Sequence, residues 1–175
     1  MKKSIIVILL ILLGIVLINF AHFKSSDTII NNAISKQSTF NNNSDYILYI
    51  DLDKPIILPR LYLINTKSKK IEKVSYVFTS IKSGLFYSRK FSNTPNTNLT
   101  STGAFLVKEQ YNGNYGYSAR IQGLESHNNN VYNRAIVLHP WKGFPYTLGC
   151  YSTFESTLKD IIPLIQDGGF MFVEG

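Results

Sequence analysis

From residue 45 onward, apolar and polar residues alternate in short runs, with the two-residue period of strands that bury one face. This alternation predicts strands over residues 46–51, 60–65, 73–78, 103–111, 117–124, 135–139 and 169–173. Asn112 and Gly113 predict a tight turn between the fourth and fifth strands, because both residues tolerate positive φ. Residues 45–175 have the length of one domain, and we expect that domain to be mainly β.

The first 23 residues follow a different pattern, in which Lys2 and Lys3 precede an uncharged run rich in Ile, Leu and Val. A cleavable signal peptide has an apolar core of about 7 to 15 residues, and a spanning helix needs about 20. Residues 5–18 have the length of a signal core, but no clean small-residue cleavage site follows them. We therefore favour a hydrophobic helix kept as a membrane anchor over a cleaved signal. In either case we expect export, to the periplasm or cell envelope, with the inner membrane as the site of an uncleaved anchor.

The segment from residue 24 to 44 is rich in Ser, Asn, Thr and Gln and has no sustained apolar period, which predicts a polar linker.

The formal net charge of the chain is +7, and it falls to +5 without Lys2 and Lys3. A basic exported domain suits an anionic surface, but the same charge is equally consistent with ordinary solubility. We expect a monomer with no cofactor and no nucleic-acid partner.

One helix is predicted near the C-terminus. Ser152 and Glu155 have the spacing of a capping box ahead of an apolar helical stripe, and Pro163 predicts a kink or an end near Ile162. Cys150 would then lie just before the helix N-terminus, where the helix dipole and unpaired amides favour an anion. We expect this position to lower the pKa of the thiol.

Cys150 is the only cysteine, and it lies eleven positions after His139, which ends an apolar run. A single cysteine makes no internal disulfide, so the thiol is either a buried core group or a reactive one. His139 is the candidate base, although a lone histidine is more often structural. His22 belongs to the N-terminal segment, and His127 lies among asparagines, which indicates a solvated loop residue.

Other hydrolase classes fit less well. Papain-like and related cell-wall peptidases place the histidine after the cysteine, and no histidine follows Cys150. Three histidines without a short ligand spacing and one cysteine do not build a zinc site, so no metal is expected. The chain also lacks the G-x-S-x-G elbow of serine hydrolases.

After His139 and a short loop, the chain continues with Thr147, Leu148, Gly149 and Cys150. This motif, a histidine at a strand end followed by Thr-x-Gly-Cys, resembles that of the L,D-transpeptidases of the YkuD-like type, in the branch called murein L,D-transpeptidase catalytic domain proteins. That family has a histidine at a strand end, a loop, and then Ser or Thr, any residue, Gly and Cys. The matching residues here are His139, Thr147, Leu148, Gly149 and Cys150. Further matches upstream lie at residues 91–93, 101–105, Tyr111, Gly113, Gly116, Tyr117, Ser118, Arg120, Gly123, Leu124, Glu125 and residues 134–137.

The resemblance implies a YkuD-like β-sandwich or barrel-like catalytic domain over residues 45–175, with a short helix after the cysteine. It also implies that Cys150 is the nucleophile, that His139 is the base, and that the backbone carbonyl of Pro140 orients the histidine. Thr147 would support the turn or donate its hydroxyl. The oxyanion donors would be the backbone amides of Leu148, Gly149 and Cys150.

The candidates to line the substrate groove are Tyr115, Tyr117 and Arg120, although such residues on strands more often serve packing and surface roles.

The implied reaction forms a thioester with a peptidoglycan stem peptide, releases the terminal D-alanine and transfers the acyl group to an amine. Transfer to water instead would make the protein an L,D-carboxypeptidase. The sequence departs from the family at Pro140, at Tyr151, in a short loop before Thr147, and in lacking an arginine soon after Cys150. These departures also leave open an inactive wall-binding module. A sortase-like enzyme fits less well, because it needs an arginine beyond the cysteine and the last arginine is Arg134.

Overall fold

The computed structural model describes residues 4, 6–10, 13–14 and 24–175. Its elements are, in chain order, α1 (Ser26–Thr39), β1 (Tyr46–Asp51), β2 (Leu61–Asn65), β3 (Lys70–Ser75), a 3-10 turn (Ile81–Ser83), β4 (Gly103–Gly113), β5 (Gly116–Gly123), β6 (Val137–Pro140), β7 (Tyr151–Thr153), α2 (Glu155–Ile165) and β8 (Gly169–Glu174). The predicted N-terminal hydrophobic helix lies largely outside the described residues. Within the described part, none of the helices has both the length and the apolar character to cross a bilayer.

All eight strands belong to one sheet with the order β3-β2-β1-β8-β4-β5-β6-β7. The sheet curls until its two edges approach each other, because Phe78, just after β3, pairs with Ser152 of β7 through two backbone hydrogen bonds of 2.8 and 2.9 Å. Thr153 strengthens this closure by donating from Oγ1 to the carbonyl of Tyr76 at 2.6 Å. The mainly β prediction with a barrel-like sheet is confirmed.

Helix α2 fills the inside of the curl. Its apolar residues recur at helical spacing, at Leu158, Ile161, Ile162 and Ile165, and all four side chains are fully buried in the main core. Pro163 faces solvent, and the helix runs past it to Ile165. Of the two expected outcomes at Pro163, a kink or an end near Ile162, the end was wrong, because burial on both sides of the proline holds the helix together without one backbone hydrogen bond. The kink stays a prediction.

Helix α1 covers the other face of the sheet. Ile29, Ile30 and Ala33 are buried against a second apolar cluster that includes Ile47 and Phe170. This position contradicts the prediction of a polar linker for the part of residues 24–44 that forms α1. The helix has few apolar positions and a weak periodicity, so only its contact with the sheet shows that its narrow apolar face is part of the core.

The secondary structure around Cys150 differs from the prediction. Residues 151–153 form strand β7 instead of a helix cap, and Ser152 is buried opposite His139. The N-cap of α2 is Phe154, which makes no side-chain capping bond, so the predicted capping box was wrong. A three-residue strand is too short for its period to stand out in the sequence. A short helix does follow the cysteine, as expected, but β7 separates the two.

Candidate active site

The parallel strands β6 and β7 bring His139 and Cys150 to one face of the sheet. Leu138 pairs with Tyr151 and His139 pairs with Ser152. Successive side chains alternate between the two faces of a strand. Leu138 and Tyr151 point into the core and are fully buried. His139 directly follows Leu138, and Cys150 directly precedes Tyr151 at the start of β7, so both share the opposite face.

A cavity of about 360 Å³ opens over this face, and both residues line it. The loop between them, residues 141–149, supplies most of the remaining wall. The full lining is Ile81, Tyr115, His139, Lys142, Phe144, Tyr146, Thr147, Leu148, Cys150 and Ser152. His139 and the Thr147–Cys150 turn, the two parts of the sequence motif, thus line one cavity in the fold.

The imidazole of His139 is held on two sides. Its Nδ1 lies 2.9 Å from the carbonyl oxygen of Pro140. A carbonyl only accepts hydrogen bonds, so Nδ1 carries the proton in this bond and Nε2 of the neutral ring is left as the acceptor. The ring of Tyr115 stacks on the imidazole with centroids 4.4 Å apart. Burial lowers the pKa of His139, the bond to Pro140 opposes this shift, and the charge of Lys142 adds to the lowering.

A tight turn presents the cysteine. Thr147 donates from Oγ1 to the carbonyl of Cys150 at 2.7 Å and accepts from the amide of Gly149 at 3.2 Å. The amide of Thr147 in turn donates to the carbonyl of Thr79, which fastens the turn to the body of the domain. Gly149 has φ of +123° and a side chain there would press on the carbonyl of Leu99, so the turn needs glycine.

The thiol of Cys150 is partly buried and lies 3.7 Å from the carbonyl oxygen of Ala135, to which it donates instead of to His139. Burial raises the pKa of Cys150, while the backbone N–H of Val137 and the charge of Arg134 oppose the rise. The expected lowering by a helix N-terminus was therefore wrong, because β7 lies between the cysteine and α2. With a raised thiol pKa and a lowered imidazole pKa, both groups are neutral near pH 7.

The predicted groove residues separate into two groups. Tyr115 lies in the cavity wall against His139. Tyr117 packs against the main core from strand β5. Arg120 lies 3.2 Å from Glu109 and stacks on Tyr111. The structure does not bring Tyr117 or Arg120 to the cavity.

Several cavity residues escaped the sequence reasoning. Lys142, Phe144 and Tyr146 lie between His139 and Thr147, and their position between two parts of one motif was a usable signal for placing them near the site. Ile81 comes from the distant 3-10 turn, and nothing local in the sequence points to it. Arg134 anchors the neighbouring loop, donating to the carbonyl of Leu99 at 2.6 Å, and its charge acts on the thiol. Among the described side chains, no three His, Cys, Asp or Glu residues are grouped to hold a metal ion.

The model of the L,D-transpeptidase catalytic domain family matches residues 18–173, which is most of the chain. The protein belongs to this family. Comparison with curated proteins gives no match.

Solved structures share the fold at low sequence identity. A mutant of the helical cell shape determining protein Pgp2 from Campylobacter jejuni is 15% identical with a TM-score of 0.53, and the match covers 86% of this chain and 54% of that one. An L,D-transpeptidase from Mycobacterium tuberculosis H37Rv is 10% identical with a TM-score of 0.50, covering 77% and 59%. The Ldtfm–avibactam carbamoyl enzyme is 14% identical with a TM-score of 0.50, covering 76% and 50%. The chain thus spans between half and two thirds of the length of these structures.

Proposed function

We propose that the protein is a cysteine-dependent acyltransferase acting on peptidoglycan stem peptides, as an L,D-transpeptidase. One observation carries the proposal: His139 and Cys150 line the same cavity, with Nδ1 of the histidine bound to the carbonyl of Pro140. That bond leaves Nε2 as the only ring nitrogen able to accept the thiol proton. A nucleophile, a base and a group that orients the base are the minimum set for covalent acyl transfer.

In the first step, the thiol of Cys150 turns from the carbonyl of Ala135 toward the imidazole and gives its proton to Nε2 of His139. Because both groups start neutral, proton transfer accompanies attack on the carbonyl that precedes the terminal D-alanine. The C–S bond forms, the carbonyl oxygen becomes an oxyanion, and the tetrahedral centre then expels the amine of D-alanine. His139 returns its proton to that amine, which leaves a thioester on Cys150.

The oxyanion needs backbone donors aimed at the place where its charge develops. The amide of Gly149 already donates to Thr147 Oγ1, so we assign this role to the amides of Leu148 and Cys150. Thr147 fixes the turn that carries both amides through its bond to the carbonyl of Cys150. Its role is therefore to position the donors.

In the second step, an amine of a neighbouring stem peptide attacks the thioester and gives its proton to His139. The tetrahedral centre then breaks its C–S bond, and His139 returns the proton to the departing sulfur, which leaves an amide crosslink, a neutral imidazole and a free thiol. Water in place of the amine would give L,D-carboxypeptidase activity on the same site. Peptidoglycan as substrate requires a location outside the cytoplasm, and we propose that residues 1–23 deliver the domain to the cell envelope.

Mass spectrometry tests the nucleophile and the reaction together. The intact protein is incubated with avibactam, the compound that carbamoylates the Ldtfm enzyme of the same fold, and with a disaccharide tetrapeptide. We expect a covalent adduct at Cys150 and loss of D-alanine, with a crosslinked dimer identifying transfer to an amine and a tripeptide identifying transfer to water. The Cys150→Ala protein should keep its circular dichroism spectrum and form neither adduct nor product. Product formation by Cys150→Ala would overturn the proposal.

A further inference from the structure

Among the described residues that form the wall of the active-site cavity, Lys142 is the only lysine, arginine, aspartate or glutamate. It lies three positions after His139, at the start of the loop between His139 and Cys150. A Cβ added to Gly116 would lie 3.8 Å from its ammonium nitrogen, which places the charge beside the turn that carries Tyr115. Since the ring of Tyr115 stacks on His139, this position is on the histidine side of the cavity. The charge of Lys142 also contributes to the lowered pKa of His139.

The ammonium group of Lys142 has no anion of its own. Among residues 24–175 it makes no hydrogen bond, ion pair or contact with an aromatic ring. Lys159 lowers the pKa of Glu155 most and the charge of Lys142 adds to the lowering, but that carboxylate is already bound to Lys159 at 2.8 Å. An unpaired cation at the rim of a cavity favours an anionic ligand group.

The position of this cation matches the chemistry of the leaving group. In the proposed reaction, His139 gives its proton to the amine nitrogen of the departing D-amino acid. The α-carboxylate carbon of that amino acid lies two bonds away, at about 2.5 Å from the nitrogen by standard bond lengths and angles. A group that binds the carboxylate must therefore lie close to the group that protonates the nitrogen. Lys142 meets this requirement, whereas Arg134 is bound to backbone carbonyls on the cysteine side.

We propose that Lys142 is a specificity-determining residue that binds the free C-terminal carboxylate of the leaving D-amino acid. The inference rests on the proposed function and extends it. It makes the enzyme selective for a scissile bond one residue from a free C-terminus. It also gives the chain a cation for substrate binding although no arginine follows Cys150.

Two substrates that differ only at the C-terminus test this role. One is the stem tetrapeptide ending in D-alanine, and the other is the same peptide ending in D-alanine carboxamide. We expect the protein to prefer the free acid, and we expect Lys142→Met to lower the acid-to-amide ratio of kcat/KM by about fivefold, as for the loss of a solvent-exposed charge pair. Lys142→Arg should keep the ratio, because it keeps the charge. Lys142→Glu should lower the ratio further than Lys142→Met.

Lys70→Met is the matched control. Lys70 is exposed on strand β3, away from the cavity, and its replacement makes the same change of charge and length. The control should show the ratio of the unmodified protein. A purely structural effect of Lys142→Met would lower turnover of both peptides and leave the ratio unchanged, and that result would overturn the role of Lys142 while leaving the acyl transfer intact. Failure of the unmodified protein to process either peptide would instead overturn the proposed function and this inference with it.

Discussion

Nδ1 of His139 and the carbonyl oxygen of Pro140 lie 2.9 Å apart. Pro140 therefore orients the histidine that comes directly before it in the chain. Proline has no backbone N–H but keeps its carbonyl, so its presence here costs the site no acceptor. The bond determines the tautomer of the neutral imidazole, because only a protonated Nδ1 can donate to a carbonyl. Nε2 is then the proton acceptor at any pH at which the ring is neutral.

The activity of the protein should depend on pH through His139. Burial and the charge of Lys142 lower the pKa of His139, so the ring stays neutral to a lower pH than a free histidine. The base is lost as the pH falls through this lowered value, and we expect the acid limb of kcat/KM to have its midpoint below the ordinary value of 6.5. A steady-state pH profile on the tetrapeptide measures it. A midpoint above 6.5 would contradict the buried neutral imidazole.

The thiol of Cys150 should be weakly acidic in the free protein. Burial raises its pKa above the ordinary 9.0, and Val137 and Arg134 oppose this only in part. We expect the rate of alkylation by iodoacetamide to rise with pH and to reach half its maximum above pH 9.0. The urea-unfolded protein serves as the control and should show an ordinary thiol. A midpoint near neutrality would mean that a thiolate and imidazolium pair exists before substrate binds.

Tyr115 should control the proton affinity of the base. Its ring stacks on His139 and contributes to the burial that lowers the histidine pKa. Tyr115→Ala opens that side of the imidazole to water, so we expect the pKa of His139 to rise toward 6.5 and kcat/KM to fall. An NMR titration of the histidine ring protons measures the shift. Tyr132→Ala is the control, because Tyr132 is also exposed but contacts Glu109 and Arg120; an equal shift in both variants would exclude the stacking as its cause.

Lys24 should stabilise the fold through two carboxylates. Its ammonium lies 3.2 Å from Asp51, which is fully buried, and 2.6 Å from Glu174. Lys24→Met removes the ion-pair partner of the buried carboxylate, although the charges of Lys54 and Arg60 still act on it. We expect the free energy of unfolding at pH 7 to fall by about 2 kcal/mol, less than for a fully buried pair because Lys24 is partly exposed. Lys67→Met is the control, since the pair of Lys67 with Asp45 is largely exposed and should contribute little.

The loss in Lys24→Met should depend on pH in a defined direction. Burial raises the pKa of Asp51 in the folded state above its ordinary 3.8. The folded state therefore binds a proton more readily than the unfolded state, and the resulting stability is present at low pH and lost as the pH rises through the folded-state pKa. We expect urea denaturation to show a smaller loss near pH 4 than at pH 7. A loss that grows toward acid pH would contradict this assignment.

Helix α1 should be an integral part of the domain. Ile29 is buried against the sheet, so Ile29→Ala should lower the free energy of unfolding by about 2 to 4 kcal/mol, the usual cost of such a core truncation. Asn31 faces solvent on the same helix, and Asn31→Ala should have an effect of no more than about 0.5 kcal/mol. Chemical denaturation of both variants measures the difference. Equal effects of the two changes would mean that α1 is not packed against the sheet in solution.

Much of the strand pattern could be predicted because alternation of period two records which face of a strand is buried. The predicted strand at residues 46–51 agrees with β1, and five others agree with β2, β4, β5, β6 and β8 to within two residues at each end. Strand β3 begins three residues earlier than predicted and ends at Ser75, because the chain leaves its partner β2 there to pair with β7 through Phe78. Pairing across the closed edge is a long-range event that local alternation does not encode.

The order of the candidate catalytic residues can be read from the sequence alone, with a histidine at a strand end and a Thr-x-Gly-Cys turn after it. These are local features, since a turn residue with positive φ and a strand end each follow from a few neighbouring residues. The surroundings of the thiol, the burial of α1 and the place of Lys142 beside His139 depend on contacts between distant parts of the chain. The physical reason is that burial and charge act through space, so the pKa of a group depends on neighbours brought in from distant parts of the chain.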